Sequence, residues 1–161
     1  MLFDLARTEV DPALLALLDD PQWQPFVVFP GEYAAPGRVV QDVQVDAGKR
    51  PLFVLLDATW GEARKMFRKS PTLDRFPVLS LRPEQVSRYV LRRSRRDDHF
   101  CTSEVAALCL ELAGETRAAM LLEAWLDVFT HHYVQARNQL PVDREGEARA
   151  RLRALDQYAP M

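Results

Sequence analysis

The sequence predicts an α/β fold in which a largely parallel β-sheet is flanked by helices. Short apolar runs rich in β-branched and aromatic residues alternate with stretches of helical periodicity. Such alternation is typical of strand-helix-strand units, whose strands run parallel. A length of 161 residues with 48 % hydrophobic content suits one compact unit, so we expect a single domain over residues 1–161.

A short helix and a buried strand come first. Asp11 followed by Pro12 predicts a helix start, with the aspartate as N-cap and the proline at the first helical position. The run from Phe26 to Phe29 is apolar and is closed by Pro30, which predicts a buried strand that ends in a loop.

The next strand and helix give the clearest pattern. The stretch from Leu52 to Leu56 is apolar at every position, as in strands covered on both faces, and it ends at Asp57. From Trp60 to Lys69 apolar residues recur at helical intervals, and four cations lie around the rest. Pro71 ends the predicted helix.

The second half of the chain is mainly helical by pattern. A short strand is expected over Val78 to Leu81, followed by an Arg-rich loop. Helices are expected from Thr102 to Ala113, with Thr102 as N-cap, and from Thr116 to about Asn138. The charged tail from Asp143 onward also has helical spacing.

Three loops follow the predicted strands and are candidates for a ligand site. In parallel sheets, ligands bind beyond the carboxyl ends of the strands. The loops at residues 30–33, 57–60 and 82–102 should therefore converge at one edge of the sheet.

Charge is distributed unevenly along the chain. The net charge is −2, yet residues 64–96 hold eleven Lys or Arg and two acidic residues, a net +9, which leaves −11 on the remainder. A local basic face can bind phosphates while an acidic remainder keeps the protein in solution. An ordinary solvated surface is the alternative interpretation.

Cysteine spacing and hydropathy argue against several protein classes. Cys101 and Cys109 lie about two helical turns apart, too far for a disulfide, and they lack the CxxC spacing of zinc sites, so we expect no metal. No apolar run has the length of a membrane span, and the N-terminus lacks a signal-peptide pattern. We expect a cytoplasmic protein with no membrane association.

The turn from Asp57 to Trp60 holds the first candidate site residues. A carboxylate at the end of an apolar strand can be partly desolvated, which raises its basicity and suits a general base. The alternative for Asp57 is a structural cap on the following helix, and Thr59 is open to the same two interpretations. Trp60 either packs under the sheet or offers a ring face to a base.

The basic loop and the helix after it hold further candidates. Tyr89 stands among arginines, so it either combines base stacking with phosphate pairing or anchors the loop. His99 could shuttle a proton, although a single exposed histidine is usually not catalytic. The helix start at Thr102 presents backbone N–H groups to a carboxylate, a feature that every helix start shares.

Three motifs occur together in this sequence. They are Leu56-Asp57-Ala58-Thr59-Trp60 followed by Glu62-Ala63-Arg64-Lys65-Met66, then Ser87-x-Tyr89-x-Leu91-Arg92, then Cys101-Thr102-x-Glu104-x-Ala106. In order and spacing they resemble the DTW-domain family, the tRNA-uridine aminocarboxypropyltransferases. The resemblance extends from about residue 5 to about residue 135.

The resemblance implies transfer of the 3-amino-3-carboxypropyl group of S-adenosylmethionine to N3 of a uridine in tRNA, with release of methylthioadenosine. It also implies a fold related to the SPOUT (α/β-knot) class. Members usually carry an N-terminal cysteine cluster and a further strand-helix unit before the position equivalent to Leu5, and we expect this chain to lack both. A non-catalytic RNA-binding module and a SPOUT-type RNA methyltransferase are the alternatives.

Three sets of site residues follow from the resemblance. Asp57 is expected to be the general base or to orient the uridine, with Thr59 and Trp60 supporting the loop. The cofactor is expected to contact Phe29, Pro30, Leu81, Tyr89, Leu91, Arg92, Thr102 and Glu104. The RNA phosphates are expected to contact Arg64, Lys65, Arg68, Lys69, Arg93, Arg95 and Arg96.

Overall fold

The computed structural model describes residues 9–82, 84–85, 101–141 and 143–157. The chain divides into two compact units, with the boundary between residues 97 and 98. The expectation of a single domain stays a prediction.

The first unit is built on an all-parallel sheet. Its described strands are β1 (Trp23–Val28), β2 (Val39–Val40), β3 (Arg50–Leu55) and β4 (Val78–Leu79). They lie in the order β2-β4-β1-β3, and every pairing is parallel. The predicted α/β fold with a parallel sheet is confirmed.

Strand β3 departs from the expectation that both of its faces are covered. Among the described strands it lies at the edge of the sheet, and residues 51–56 are all half-buried rather than buried. Leu52, Val54 and Leu56 pack against the core, whereas Phe53 contacts Phe26 on the other face. The expectation was wrong because an unbroken apolar run does not distinguish an edge strand from a central one.

Two α-helices belong to the described part of this unit. In α1 (Pro12–Asp19), the Asp11 carboxylate accepts a hydrogen bond from the Ala13 N–H at 2.8 Å, as the sequence predicted. Helix α2 (Trp60–Lys69) has the predicted bounds. Short 3-10 turns occupy residues 31–33, 36–38 and 71–73. The core is formed largely by Leu14, Leu18, Val27, Phe29, Phe67, Leu73 and Val78.

The second unit contains three described helices: α3 (Thr102–Leu112), α4 (Thr116–Arg137) and α5 (Glu147–Gln157). Helices α3 and α5 each pack against α4. These helices confirm the three predicted helical stretches. No helix in the described ranges combines the length and apolarity that a membrane crossing requires.

The start of α3 corrects one prediction. The N-cap is Cys101 and not Thr102, which is the first residue of the helix. The Glu104 carboxylate accepts a hydrogen bond from the Cys101 N–H at 2.9 Å, and this reciprocal cap requires a spacing of three residues. Both cysteines are free, and burial raises the pKa of the Cys109 thiol to about 12.

Candidate functional site

Two of the three predicted loops meet at the carboxyl edge of the sheet. Phe29, just after β1, stacks on Trp60, which begins α2 after β3. The Gly31 N–H donates a hydrogen bond to Ser80 Oγ at 3.0 Å, which ties the loop after β1 to the end of β4. Most of the third loop, residue 83 and residues 86–100, lies outside the described residues.

A stack of three aromatic rings supports this edge. Phe29 stacks on Phe67 with ring centroids 4.5 Å apart, and on Trp60 at 5.6 Å, both nearly parallel. Trp60 and Phe67 are seven residues apart in α2, about 10.5 Å along its axis, which leaves room for one ring between them. Tyr33 packs edge-on against both Phe29 and Trp60 at 5.7 Å. The stack fixes the orientation of the indole.

Trp60 is packed on one side and exposed on the other, which fits both interpretations that the sequence left open. Its ring packs on Phe29, which is only 6 % exposed, so the indole is anchored to the core. Trp60 itself remains 52 % exposed. A rigid and half-exposed indole can therefore serve as a surface on which another flat ring stacks.

The turn before α2 is held by a reciprocal cap. Thr59 is the N-cap, and its hydroxyl and backbone N–H donate to the Glu62 carboxylate at 2.5 and 3.1 Å. Both hydrogen bonds lower the pKa of Glu62, and the one from the Thr59 hydroxyl has the larger effect. Because Thr59 and Glu62 form the cap, the N-cap position is not held by Asp57.

Asp57 lines an open cavity of about 630 Å³, called here the Asp57 cavity, together with Glu62, Lys65, Met66, Lys69 and Ser70. The Asp57 side chain is exposed, so the expected partial desolvation is absent from the described structure. Asp57 directly follows β3, whose own residues from 51 onward are only half-buried. The volume lies in the range of small-molecule sites, and the lining mixes carboxylates with ammonium groups.

The four cations of α2 divide between two sides of the helix. Arg64 and Arg68, four residues apart, line a second open cavity of about 550 Å³ with Tyr33, Arg38 and Phe67, called here the arginine cavity. Lys69 lines the Asp57 cavity, and Lys65 lines both. The predicted basic helix is thus a ridge between two cavities.

The remaining predicted site residues have varied surroundings. Pro30 is exposed, whereas Leu81 and Thr102 are half-buried. Glu104 is 2 % exposed, and its carboxylate accepts from the Cys101 N–H, so its visible role is to cap α3. The predicted residues outside the described ranges are Tyr89, Leu91, Arg92, Arg93, Arg95, Arg96 and His99.

Three residues at this edge were not among the site residues predicted from the sequence. Tyr33 contacts the aromatic stack, and the Arg64 guanidinium lies 5.0 Å from its ring centroid. Arg38 donates hydrogen bonds to backbone carbonyls more than thirty residues away, a contact that no local pattern reveals. Ser80 follows β4 and accepts from Gly31. Of the three, only Tyr33 could have been predicted from the sequence, because it is an aromatic residue in a loop after a strand.

The described residues contain no cluster of side chains suited to a metal ion. Among the residues described, no three His, Cys, Asp or Glu side chains are gathered as a metal ion would need. His131 and His132 are neighbours in α4, and the Arg149 Nε donates to His132 Nε2 at 3.2 Å. That nitrogen is therefore an acceptor already in use.

Comparison with known proteins points in one direction. The sequence model of the DTW domain matches residues 2–134. The chain is 32 % identical over 97 residues to tRNA-uridine aminocarboxypropyltransferase 2 of Drosophila melanogaster, a match that covers 60 % of this chain. It spans only 36 % of that relative. No solved structure matches the chain significantly. Since the domain model covers most of the sequence, the chain belongs to the DTW domain family.

Proposed function

We propose that this protein transfers the 3-amino-3-carboxypropyl group of S-adenosylmethionine to N3 of a uridine in tRNA. The observation that carries the proposal is the turn from Asp57 to Trp60: in a member of the DTW family, this turn presents a carboxylate and an anchored indole at the carboxyl edge of a parallel sheet. The name of the Drosophila relative supports the same reaction.

The chemistry requires a base and a held electrophile. Uridine N3 becomes a good nucleophile only when its proton leaves, and Asp57 accepts that proton or orients the base for its loss. The N3 lone pair then attacks the carbon next to the sulfonium, the C–S bond breaks, and its electron pair returns to sulfur. Neutral methylthioadenosine is released, and the proton remains on the carboxylate until water removes it.

Thr59 and Trp60 act by positioning in this scheme. The Thr59–Glu62 cap fixes the first turn of α2, so Asp57 is presented from a rigid backbone. Trp60, backed by Phe29, offers its exposed surface to the uracil ring. Stacking holds the ring and leaves its N3 edge accessible to a carboxylate.

S-adenosylmethionine brings the activated carbon as a substrate of the reaction. The volume of the Asp57 cavity and its mixed charges suit a zwitterionic amino-acid end, with Lys65 or Lys69 near the carboxylate. Pro30 and Leu81 lie in the loops at the same sheet edge and remain proposed contacts, with Phe29 contributing through its backbone because its ring is buried. A SPOUT-related fold is part of the proposal.

Transfer RNA is the proposed partner, and α2 supplies the described part of its binding surface. Arg64, Lys65, Arg68 and Lys69 all lie on α2, so the helix presents positive charge to RNA on both of its sides. Phosphate contacts of this kind position RNA without reading its sequence. Arg93, Arg95 and Arg96 belong to the same proposed set.

The deciding experiment is incubation of the protein with unmodified tRNA and S-adenosylmethionine, followed by mass spectrometry of the nucleosides. We expect uridine that carries an aminocarboxypropyl group. A methyl-sized mass increase would instead identify a methyltransferase, and RNA binding without any mass change would identify a binding module.

The role of Asp57 is tested by Asp57→Asn, which keeps the shape of the side chain and removes the base. Product formation should fall about a hundredfold or more, while calorimetry with S-adenosylmethionine and tRNA gives unchanged affinities. Asp46→Asn is the matched control, because Asp46 is an exposed aspartate of the same unit that pairs with Lys49 away from the cavity. Full activity of Asp57→Asn would exclude the assignment.

A further inference from the structure

The arginine cavity adjoins the Asp57 cavity and shares Lys65 with it, but the rest of its lining is its own. Arg64 and Arg68 point to one side of α2, whereas Glu62 and Lys69 belong to the Asp57 cavity on the other side. The arginine cavity holds about 550 Å³, enough for a nucleotide-sized ligand. The arginine cavity could therefore bind a ligand different from the one in the Asp57 cavity.

The lining of this cavity is strongly cationic. Arg38, Arg64, Lys65 and Arg68 line it against a single carboxylate, Asp74. Because a positive concave surface concentrates anions, the expected ligand carries negative charge. The three arginines favour phosphate oxygens in particular, since a guanidinium presents several N–H donors in a fixed plane.

One of these cations is held rigidly before any ligand arrives. The Arg38 Nε donates to the Phe76 carbonyl at 3.0 Å, and its Nη2 donates to the Leu73 carbonyl at 2.9 Å. Its Nη1 lies 3.8 Å from the Asp74 carboxylate, which is beyond hydrogen-bond distance. The guanidinium is thus fixed by the backbone, and Nη1 forms a long ion pair with Asp74 without a hydrogen bond.

An aromatic ring adjoins the cations. Tyr33 is 39 % exposed, and the Arg64 guanidinium lies over it, 5.0 Å from the ring centroid. Phe29 and Trp60 pack edge-on against Tyr33, so its ring is supported by the aromatic stack. A flat, supported Tyr–Arg pair beside phosphate-binding groups is suited to a nucleobase joined to a phosphodiester.

We propose that the arginine cavity is a subsite for a nucleotide of single-stranded RNA. Its phosphodiester contacts Arg38, Arg64 and Arg68, and its base packs against the Tyr33–Arg64 pair. The proposal rests on the proposed function in taking tRNA as the substrate. It adds that α2 separates two nucleotide positions, the modified uridine at the Asp57 cavity and a neighbouring nucleotide of the same strand here.

Two RNA probes test the subsite by fluorescence anisotropy: an oligouridylate, and an abasic ribose-phosphate oligomer of the same length. Tyr33→Ala should weaken the oligouridylate complex about tenfold and leave the abasic complex unchanged, because only the first probe has bases to stack. Tyr33→Phe, which keeps the ring, should bind the oligouridylate within about twofold of the wild type.

The phosphate part is tested by Arg64→Ala combined with Arg68→Ala. Alanine favours helix, so α2 should persist. Both RNA complexes should weaken, and the slope of log K against log salt should fall by about 1.4, as expected for two lost phosphate contacts to a single strand. Lys49→Ala is the matched control: Lys49 precedes β3 at the opposite end of the sheet, and its loss should change neither affinity.

The outcomes separate the subsite from the proposed reaction. Wild-type binding that is untouched by both the Tyr33→Ala and the double arginine variants overturns the subsite, whatever the catalytic result. If Tyr33→Ala does not fold, the double arginine variant decides alone. Tight oligouridylate binding with the expected variant effects, but no modified nucleoside after incubation with S-adenosylmethionine, supports the subsite and removes the proposed transferase activity.

Discussion

Gly31 stands at a point where three segments of the first unit come together. A Cβ atom placed on it would lie 2.9 Å from Val39 Cγ1 and 3.1 Å from Ser80 Oγ. Val39 has a stiff β-branched side chain in a strand, and Ser80 Oγ already accepts from the Gly31 N–H. Neither neighbour can yield without a loss of contacts, so the absence of a side chain at Gly31 is a packing requirement.

We predict that Gly31→Ala lowers the free energy of unfolding by about 1–3 kcal/mol, as overpacked core positions do. Urea denaturation of the purified variant measures the change. Gly61→Ala is the control at the same sheet edge, because no atom lies within 4 Å of its would-be Cβ and alanine suits a helix. Its stability should be equal to or slightly above that of the wild type. Equal stability of Gly31→Ala would contradict the packing argument.

At the scale of elements, the start of α2 depends on an ionised carboxylate. Hydrogen bonds from Thr59 lower the pKa of Glu62, so the folded state binds this proton less readily than the unfolded chain. The stabilisation is therefore complete above the ordinary pKa of 4.5 and disappears as the pH falls through the lower pKa of the folded state. The adjacent positive end of the helix dipole acts in the same direction.

Glu62→Gln should therefore reduce the thermal unfolding midpoint at pH 7 and not at about pH 2.5. Glutamine keeps a hydrogen-bond acceptor at the same position, so the difference between the two proteins isolates the charge. In a Thr59→Ala background, which removes the donor hydroxyl, the effect of Glu62→Gln at pH 7 should shrink. A difference that is the same at both pH values would show that the charge does not contribute.

The helices and strands also show which parts of the fold can be predicted from local sequence patterns. The start of α1 and both ends of α2 and α4 were predicted to within a residue or two, because caps and helical periodicity are local signals. Strand β2 was missed because its two residues, Val39–Val40, are too few to show the alternating pattern of a strand. Its place beside β4 also depends on a long-range pairing. The edge position of β3 was hidden for the same reason, and so was the exposure of Asp57.

The site was predicted less completely than the fold. Asp57, Thr59 and Trp60 were predicted as site residues because they form one contiguous turn, and their roles stay a prediction. Tyr33 and Arg38 reach the same edge through the aromatic stack and through backbone carbonyls of Leu73 and Phe76. Contacts between residues so distant in the sequence exist only after the sheet has formed, so patterns along the chain do not report them.

At the scale of the whole molecule, the cations of the basic segment, residues 64–96, fall into two groups. Arg75 pairs with Asp19 at 2.5 Å and Arg82 pairs with Asp42 at 2.9 Å, so these two cations already have partners within the first unit. Within the described ranges, none of the four cations of α2 forms an ion pair with a carboxylate. The interpretation as an ordinary solvated surface therefore applies to part of the segment, and phosphate binding is expected from the helix.

We predict that tRNA affinity falls at least about tenfold between 50 and 200 mM salt, because each phosphate contact releases bound counterions. Lys65→Glu combined with Arg68→Glu should weaken unrelated tRNAs by the same factor, since phosphate contacts do not read sequence. Lys49→Glu, an equal charge reversal at the opposite end of the sheet, should have little effect. Salt titrations of filter binding measure all three proteins. Affinity independent of salt would mean that α2 does not contact the RNA backbone, whereas a loss confined to one tRNA would indicate that the helix reads bases.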